Sequence, residues 1–264
     1  MKNSFRKTFH YYREHGLYRA LFYNGDHIWL ASFPRSGNTW MRHMLHDVFV
    51  KDLENNANHP ILDIHHSVPD IHRNWDMFNL KNATTPFVKT HFAYQKAYQK
   101  VVYLIRDPVD VIYSLWKVLA SQSARTSLTL DDVIDQQIHQ GWIYGTWNEH
   151  ILSYLNSGLD QDQLLILKYE QVVADPLLAI QTVFRFSGLE AHDNYLAETA
   201  MKHIDAFVSK RVPEDTGYED KALALTSLQV GKGYRYMHAN QIDRIRQSGL
   251  GTLAMELGYS IGED

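Results

Sequence analysis

Three stretches of this chain carry the side-chain types that bind anions and move protons. The first is Phe33-Pro34-Arg35-Ser36-Gly37-Asn38-Thr39-Trp40. Gly37 lets the backbone approach an anion closely, Arg35 adds a fixed charge, and Asn38 and Thr39 offer side-chain donors. Between a strand and a helix, successive N–H groups and the helix dipole complete a phosphate cradle; without a ligand the same string is a polar strand-to-helix turn. The string departs from GxxxxGKS/T. It has no first glycine and no lysine followed by Ser/Thr to reach terminal phosphates and position magnesium, which disfavours a metal-dependent kinase or NTPase. The second stretch holds Arg106 and Ser114, separated by one strand-to-helix turn and two helical turns, so both can face a phosphate above the strand end. The alternatives are an Arg106 ion pair with Asp107 or Asp110 and a plain helix-surface place for Ser114. The third is Lys89-Thr90-His91 at a strand end, where an imidazole with a pKa near neutrality stands beside a lysine. Asp63, His65, His66, Asp70 and His72 suggest a metal by composition, but their spacing fits no known scaffold. They read as the lining of a substrate pocket or as a surface loop, and no metal is expected.

Those residues must be held by elements, and short β-branched or aromatic runs alternate with helical patterns, as in a parallel sheet covered on both faces. His27–Ser32 reads as a strand, Pro34–Gly37 as a turn, and Met41, Met44, Leu45 and Val48 recur at helical spacing. Pro86–Thr90 is a second strand, and Val101–Ile105 is a fully apolar third, as a central strand requires. Asp107 caps a helix whose first position suits Pro108 and whose buried stripe is Val111, Ile112, Leu115 and Leu119. Thr129 opens a longer helical region that runs toward Gly158 and carries Trp142, Trp147 and His150, which read as core. Leu164–Leu167 is a fourth strand, followed by a helix near Pro176 to Ser187 and a C-terminal helix from about Ala239. The predicted fold is α/β: a single domain over 1–264, with a mostly parallel central sheet flanked by helices and the phosphate loop after the first strand.

Bulk properties agree with one packed domain. Hydrophobic residues make up 45% and charged residues 21%, which argues against a disordered or fibrous chain. The formal net charge of −4 gives no general attraction for nucleic acid or anionic lipid, so no nucleic-acid partner is expected and any anion site must be local. The lack of cysteine excludes disulfides, thiolate metal sites and cysteine nucleophiles. No signal-peptide core and no apolar run of about 18 residues is present, so a cytoplasmic chain without a transmembrane segment is expected. Phe5, Phe9 and Tyr12 place an apolar face on an N-terminal helical segment (1–25) packed on the domain, with a membrane-surface segment as the alternative. The polar stretch near 209–226 reads as a mobile loop.

The loop string resembles the 5'-phosphosulfate loop of the PAPS-dependent sulfotransferases, where PAPS is 3'-phosphoadenosine-5'-phosphosulfate. Further similarities follow in order: Lys89-Thr90-His91, then Tyr103 through Ser114 as the 3'-phosphate segment, then Leu167-Lys168-Tyr169-Glu170 with Asp175-Pro176. The likeness covers roughly residues 26 to 188 and weakens beyond residue 190.

The resemblance implies a sulfotransferase with PAPS as donor, 3',5'-phosphoadenosine (PAP) as product, and a hydroxyl or amine as acceptor. His91 is then the general base, and Lys89 and Arg35 attend the sulfuryl and bridging oxygens. Arg35 stands where the family commonly has lysine; it keeps the charge but does not readily surrender a proton, so it acts as an electrostatic clamp. The donor would be bound by Arg35, Ser36, Gly37, Asn38, Thr39 and Trp40, by Arg106 and Ser114 at the 3'-phosphate, and by Trp40 and Tyr169 at adenine. Either ring could instead be core. The family's late glycine-rich basic segment has one candidate, Gly231-Lys232-Gly233, whose register does not match cleanly. Two other functions compete: a nucleotide or nucleoside kinase, which needs magnesium and a loop lysine, and a nucleotide-binding protein without catalysis, which would bind the donor without turning it over.

Overall fold

The computed structural model describes residues 27–54, 63–72, 86–122, 128–208 and 230–262. Strands β1 (Ile28–Ser32), β2 (Phe87–Thr90), β3 (Lys100–Ile105) and β4 (Leu164–Lys168) form one sheet in the order β2-β1-β3-β4. Every pairing is parallel: Ile28 is opposite Phe87 on one side and Lys100 on the other, and Val101 is opposite Leu164.

The central strands are apolar on both faces, and the period of two sorts their side chains into two cores. Trp29, Ala31, Val101, Tyr103 and Ile105 point to one face. There they meet α3 (Pro108–Gln122), α4 (Leu130–His139), α5 (Trp147–Leu155), α10 (Ala239–Arg246) and α11 (Gly249–Glu256). Ile28, Leu30, Val102 and Leu104 point to the other face, under α1 (Asn38–Glu54), α6 (Tyr169–Ala174), α7 (Pro176–Ser187) and α8 (Asp193–Val208). The expected α1 stripe of Met41, Met44, Leu45 and Val48 is fully buried. Two short helices, α2 (Ile64–Ser67) and α9 (Lys232–Tyr236), pack against α1 and α3 respectively.

Local chemistry sets the helix boundaries. Asp107 accepts the Val109 N–H at 2.7 Å at the start of α3. Asp175 accepts the Leu178 N–H ahead of Pro176, and left-handed Gly188 ends α7. The longer helix expected from Thr129 is in fact two. Thr129 and Asp132 form a capping box for α4, the chain turns through Gly141 at φ 65°, and a second box of Thr146 and Glu149 starts α5. A Cβ on Gly141 would lie 2.6 Å from the Gly145 backbone, so the turn needs that glycine. The C-terminal helix is likewise divided, with Ser248 capping α11. Helices α6 and α8 were not anticipated. The N-terminal segment (1–25) and the 209–226 loop lie outside the described residues. Among the described residues no helix is long and apolar enough to cross a membrane.

Candidate active site

Because all strands run parallel, their C-terminal ends share one edge, where α/β sheets hold ligands. Each candidate segment leaves from that edge: the phosphate loop after Ser32, His91 after Thr90, Arg106 after Ile105 and Tyr169 after Lys168.

In the loop, Arg35 (φ 73°) and Gly37 (φ 90°) are both left-handed and flank Ser36. Gly37 is required twice over, since a Cβ there would sit 2.3 Å from Cδ2 of Tyr169. The buried Ser36 hydroxyl has no hydrogen-bond partner among the described residues. The N–H groups of Gly37, Asn38 and Thr39 open α1 without backbone acceptors among those residues. A partnerless hydroxyl and helix-start N–H groups without backbone acceptors fit a phosphate. The expected donor role of the Asn38 side chain needs correction. Its amide turns inward to Leu30 O (2.9 Å), Ser32 Oγ (3.2 Å) and Thr90 O (3.4 Å), tying β1 to β2. Thr39 is exposed. Trp40 is buried edge-on to Tyr169, and its Nε1 donates to His203 Nδ1 at 3.1 Å while His203 Nε2 donates to Asp47 at 2.9 Å.

Arg35, Ser114 and Arg106 come together. Arg35 Nε donates to Ser114 Oγ at 3.0 Å, and Arg106 Nη1 donates to the Arg35 carbonyl at 3.1 Å. The Arg106 guanidinium lies over the Tyr169 ring, 4.3 Å from its centroid, and pairs with buried Asp110 at 3.1 Å. One of the two ion pairs considered for Arg106 is therefore present. Asp110, considered in the sequence only as an ion-pair partner, also accepts the N–H groups of Gly231 (2.8 Å) and Gly233 (2.7 Å). It thereby docks the Gly231-Lys232-Gly233 turn beside Arg106. Gly233 packs so tightly that a Cβ would meet Val109 O at 2.6 Å. Burial, then the charges of Arg106 and Lys117, lower the Lys232 pKa. Positive charge gathered at one spot in this way suits an anion.

His91 is held at three points. Its Nδ1 donates to Ser32 O at 2.9 Å, its N–H donates to His72 Nε2 at 2.7 Å, and its carbonyl accepts from His150 Nε2 at 3.1 Å. The first contact puts the ring proton on Nδ1 and leaves the lone pair on Nε2. Burial, followed by the neighbouring Lys89 ammonium, lowers the His91 pKa well below the usual histidine value, so the ring is neutral at pH 7. Lys89 is no solvated strand-end charge: its Nζ is 2.8 Å from Asp70, and both side chains are buried. Burial works to raise the Asp70 pKa, but Lys89 and Arg42 hold it below the ordinary carboxylate range. Burial also keeps His150, expected in the core, neutral with a pKa of about 4. Asp63 caps α2 through the His65 N–H. Among the described residues no group of three or more His, Cys, Asp or Glu is placed to hold a metal ion.

A family model described as "Sulfotransferase domain" matches residues 25–248. Cytosolic sulfotransferase 17 of Arabidopsis thaliana is 24% identical over 214 residues, spanning 74% of this chain and 62% of that protein. Flavonol 3-sulfotransferase of Flaveria bidentis is 26% identical over 176 residues, spanning 61% and 56%. The aligned chain thus covers less than two thirds of the length of both relatives. A mouse sulfotransferase complexed with PAP superposes with a TM-score of 0.62 at 19% identity, covering 89% of each chain. Retinol dehydratase in complex with androsterone and inactive cofactor PAP gives 0.59 at 18% identity, covering 86% and 83%. At these identities the structural likeness establishes the fold.

Proposed function

The chain belongs to the sulfotransferase domain family, and on that premise we propose that it moves a sulfuryl group from PAPS to a hydroxyl or amine acceptor. One observation carries the reading: His91 is hydrogen-bonded to Ser32, the residue from which the phosphate loop departs, so the base candidate and the anion cradle share one anchor. The complexes of two structural neighbours with PAP support the choice of donor.

In this reading the loop N–H groups, the Ser36 hydroxyl and Arg35 bind the 5'-phosphosulfate. Arg106, Ser114 and Lys232 bind the 3'-phosphate, and Trp40 and Tyr169 flank the base. Since the Asn38 amide is engaged inside the sheet, Asn38 contributes its backbone N–H. His91 Nε2 accepts the acceptor's proton as the new bond to sulfur forms. The bond from sulfur to the bridging phosphate oxygen breaks, and Arg35 stabilises the charge that collects there. Lys89, oriented by Asp70, adds positive charge beside His91. Two relatives named as cytosolic sulfotransferases support a cytoplasmic setting.

The test is a pair of calorimetric titrations with PAP and AMP, followed by labelled PAPS with acceptor pools. Loss of a charge-assisted 3'-phosphate contact should weaken AMP relative to PAP by at least about 1.5–3 kcal/mol. Equal affinity for the two nucleotides would remove the reading.

A further inference from the structure

The segment from Pro69 to His72 runs beside the end of β2 as a short added ladder. Lys89 N–H donates to Pro69 O at 2.8 Å, Ile71 N–H donates to Lys89 O at 3.2 Å, and Asp70 accepts both Lys89 Nζ and the His72 N–H. The ladder ends on an unusual contact, a side chain taking the place of a strand. The N–H of His91, just past the end of β2, would be left without an acceptor, and His72 Nε2 supplies it at 2.7 Å. A nitrogen that accepts an N–H must carry the lone pair, so the His72 proton resides on Nδ1, which faces the Tyr144 hydroxyl at 3.3 Å. The His72 and His91 rings lie nearly parallel, with centroids 5.5 Å apart and planes 28° apart. Phe92 and Tyr144 close around His72 at 4.5 and 5.3 Å.

We propose that His72 is a positioning residue for the transfer: as a neutral Nε2 acceptor it fixes the peptide group of His91 and so the direction in which His91 Nε2 points. The proposal rests on the reading of His91 as base. The groups facing His72 are Asp70 and Lys89 from the ladder and strand, His91 from the strand end, and Tyr144 from the α4–α5 turn. Ser32 and His150 grip His91 from β1 and α5. Without His72 the His91 N–H has no partner and the ring can tilt about its two remaining anchors. A tilt that misplaces Nε2 by about 1 Å costs about ten- to a hundred-fold in rate without removing any substrate contact.

The experiment compares His72→Phe, which keeps an aromatic ring but removes the acceptor, with His72→Gln, whose side-chain carbonyl can accept the same N–H. PAP release from PAPS is followed with an aliphatic alcohol and with water as acceptors, PAP affinity is measured by calorimetry, and histidine tautomers are read from long-range proton–nitrogen NMR spectra. His72→Phe should release PAP about ten- to a hundred-fold more slowly with PAP affinity unchanged, and His72→Gln should restore most of the rate. Wild-type His72 should show its proton on Nδ1. A fast His72→Phe enzyme, a His72→Gln enzyme as slow as His72→Phe, or a His72 proton on Nε2 would each overturn the proposal. If the wild-type chain neither binds PAP nor consumes PAPS, the sulfotransferase reading fails instead, and the tautomer spectrum still decides the hydrogen bond. Should His72→Phe fail to fold, His72→Gln and the spectrum carry the same decision.

Discussion

Lys89 and Asp70 form a buried ion pair at 2.8 Å, two charged side chains shielded from water beside the base candidate His91. Removing one partner strands the other, whose isolated burial is the larger cost. Asp70→Asn is therefore expected to destabilise the protein by about 3–5 kcal/mol at neutral pH. Because the folded pKa of Asp70 lies below its unfolded value, the pair's contribution is complete above about pH 4 and is lost as the pH falls further. Urea unfolding at pH 7 and pH 3 checks this; a gap between wild type and variant that fails to narrow in acid would contradict it.

Two enclosed histidines, half-buried His72 and fully buried His150, act with the same sign in a higher pH window. Burial keeps His72 and His150 neutral, each with a pKa of about 4, while the unfolded chain takes up their protons below about pH 6.5. Stability is then expected to fall between pH 6.5 and pH 4. By pH 5.5 each such histidine costs about 1.4 kcal/mol. Denaturant midpoints measured across that range should drop, and a flat profile would mean that these rings are protonated in the fold.

For His91, whose pKa is depressed by burial and then by Lys89, the neutral base form is expected to persist well below pH 6.5. The acid limb of kcat/KM should accordingly lie below the ordinary histidine value. His91→Ala should lose about 10²–10⁴-fold in transfer to an aliphatic alcohol, less with an acidic nitrophenol, and keep its PAP affinity. Parallel loss of binding and rate would make His91 structural.

Arg35 combines a charge with a left-handed backbone that costs a non-glycine residue about 1–3 kcal/mol. Arg35→Gly should relieve that strain and hold Tm at or above wild type while turnover collapses. Arg35→Lys should retain more turnover than Arg35→Ala, since it keeps the charge while giving up the Nε contact to Ser114. Equal inactivity of the lysine and alanine variants would make the Ser114 contact the essential part.

The features legible in the sequence were those with a local signature. The four strands, the helix starts at Asp107 and Thr129, and the strand-loop-helix unit around Gly37 are each written within a dozen residues. The break between α4 and α5 was hidden because the patterns on either side of Gly141 share a helical period. The partner assignments were harder. Asn38 has the right type for an anion contact, but nothing near it in sequence reveals that Leu30 and Thr90 claim its amide. Asp110 looks like a helix-start charge until Gly231 and Gly233 arrive from the far end of the chain. His72 looked like part of a scattered acidic and histidine cluster because its role depends on a backbone group nineteen positions away.

The all-parallel sheet also bears on how the chain assembles. Each strand pair joins positions roughly sixty to seventy residues apart, as Ile28 with Phe87, Ile28 with Lys100 and Val101 with Leu164. No hairpin can seed such a sheet, and loop-closure entropy must be met before any ladder forms. On the ribosome β1 emerges well ahead of both its neighbours with apolar side chains on each face. A strand buried at the centre of the finished sheet is thus a segment of the growing chain that benefits from a chaperone.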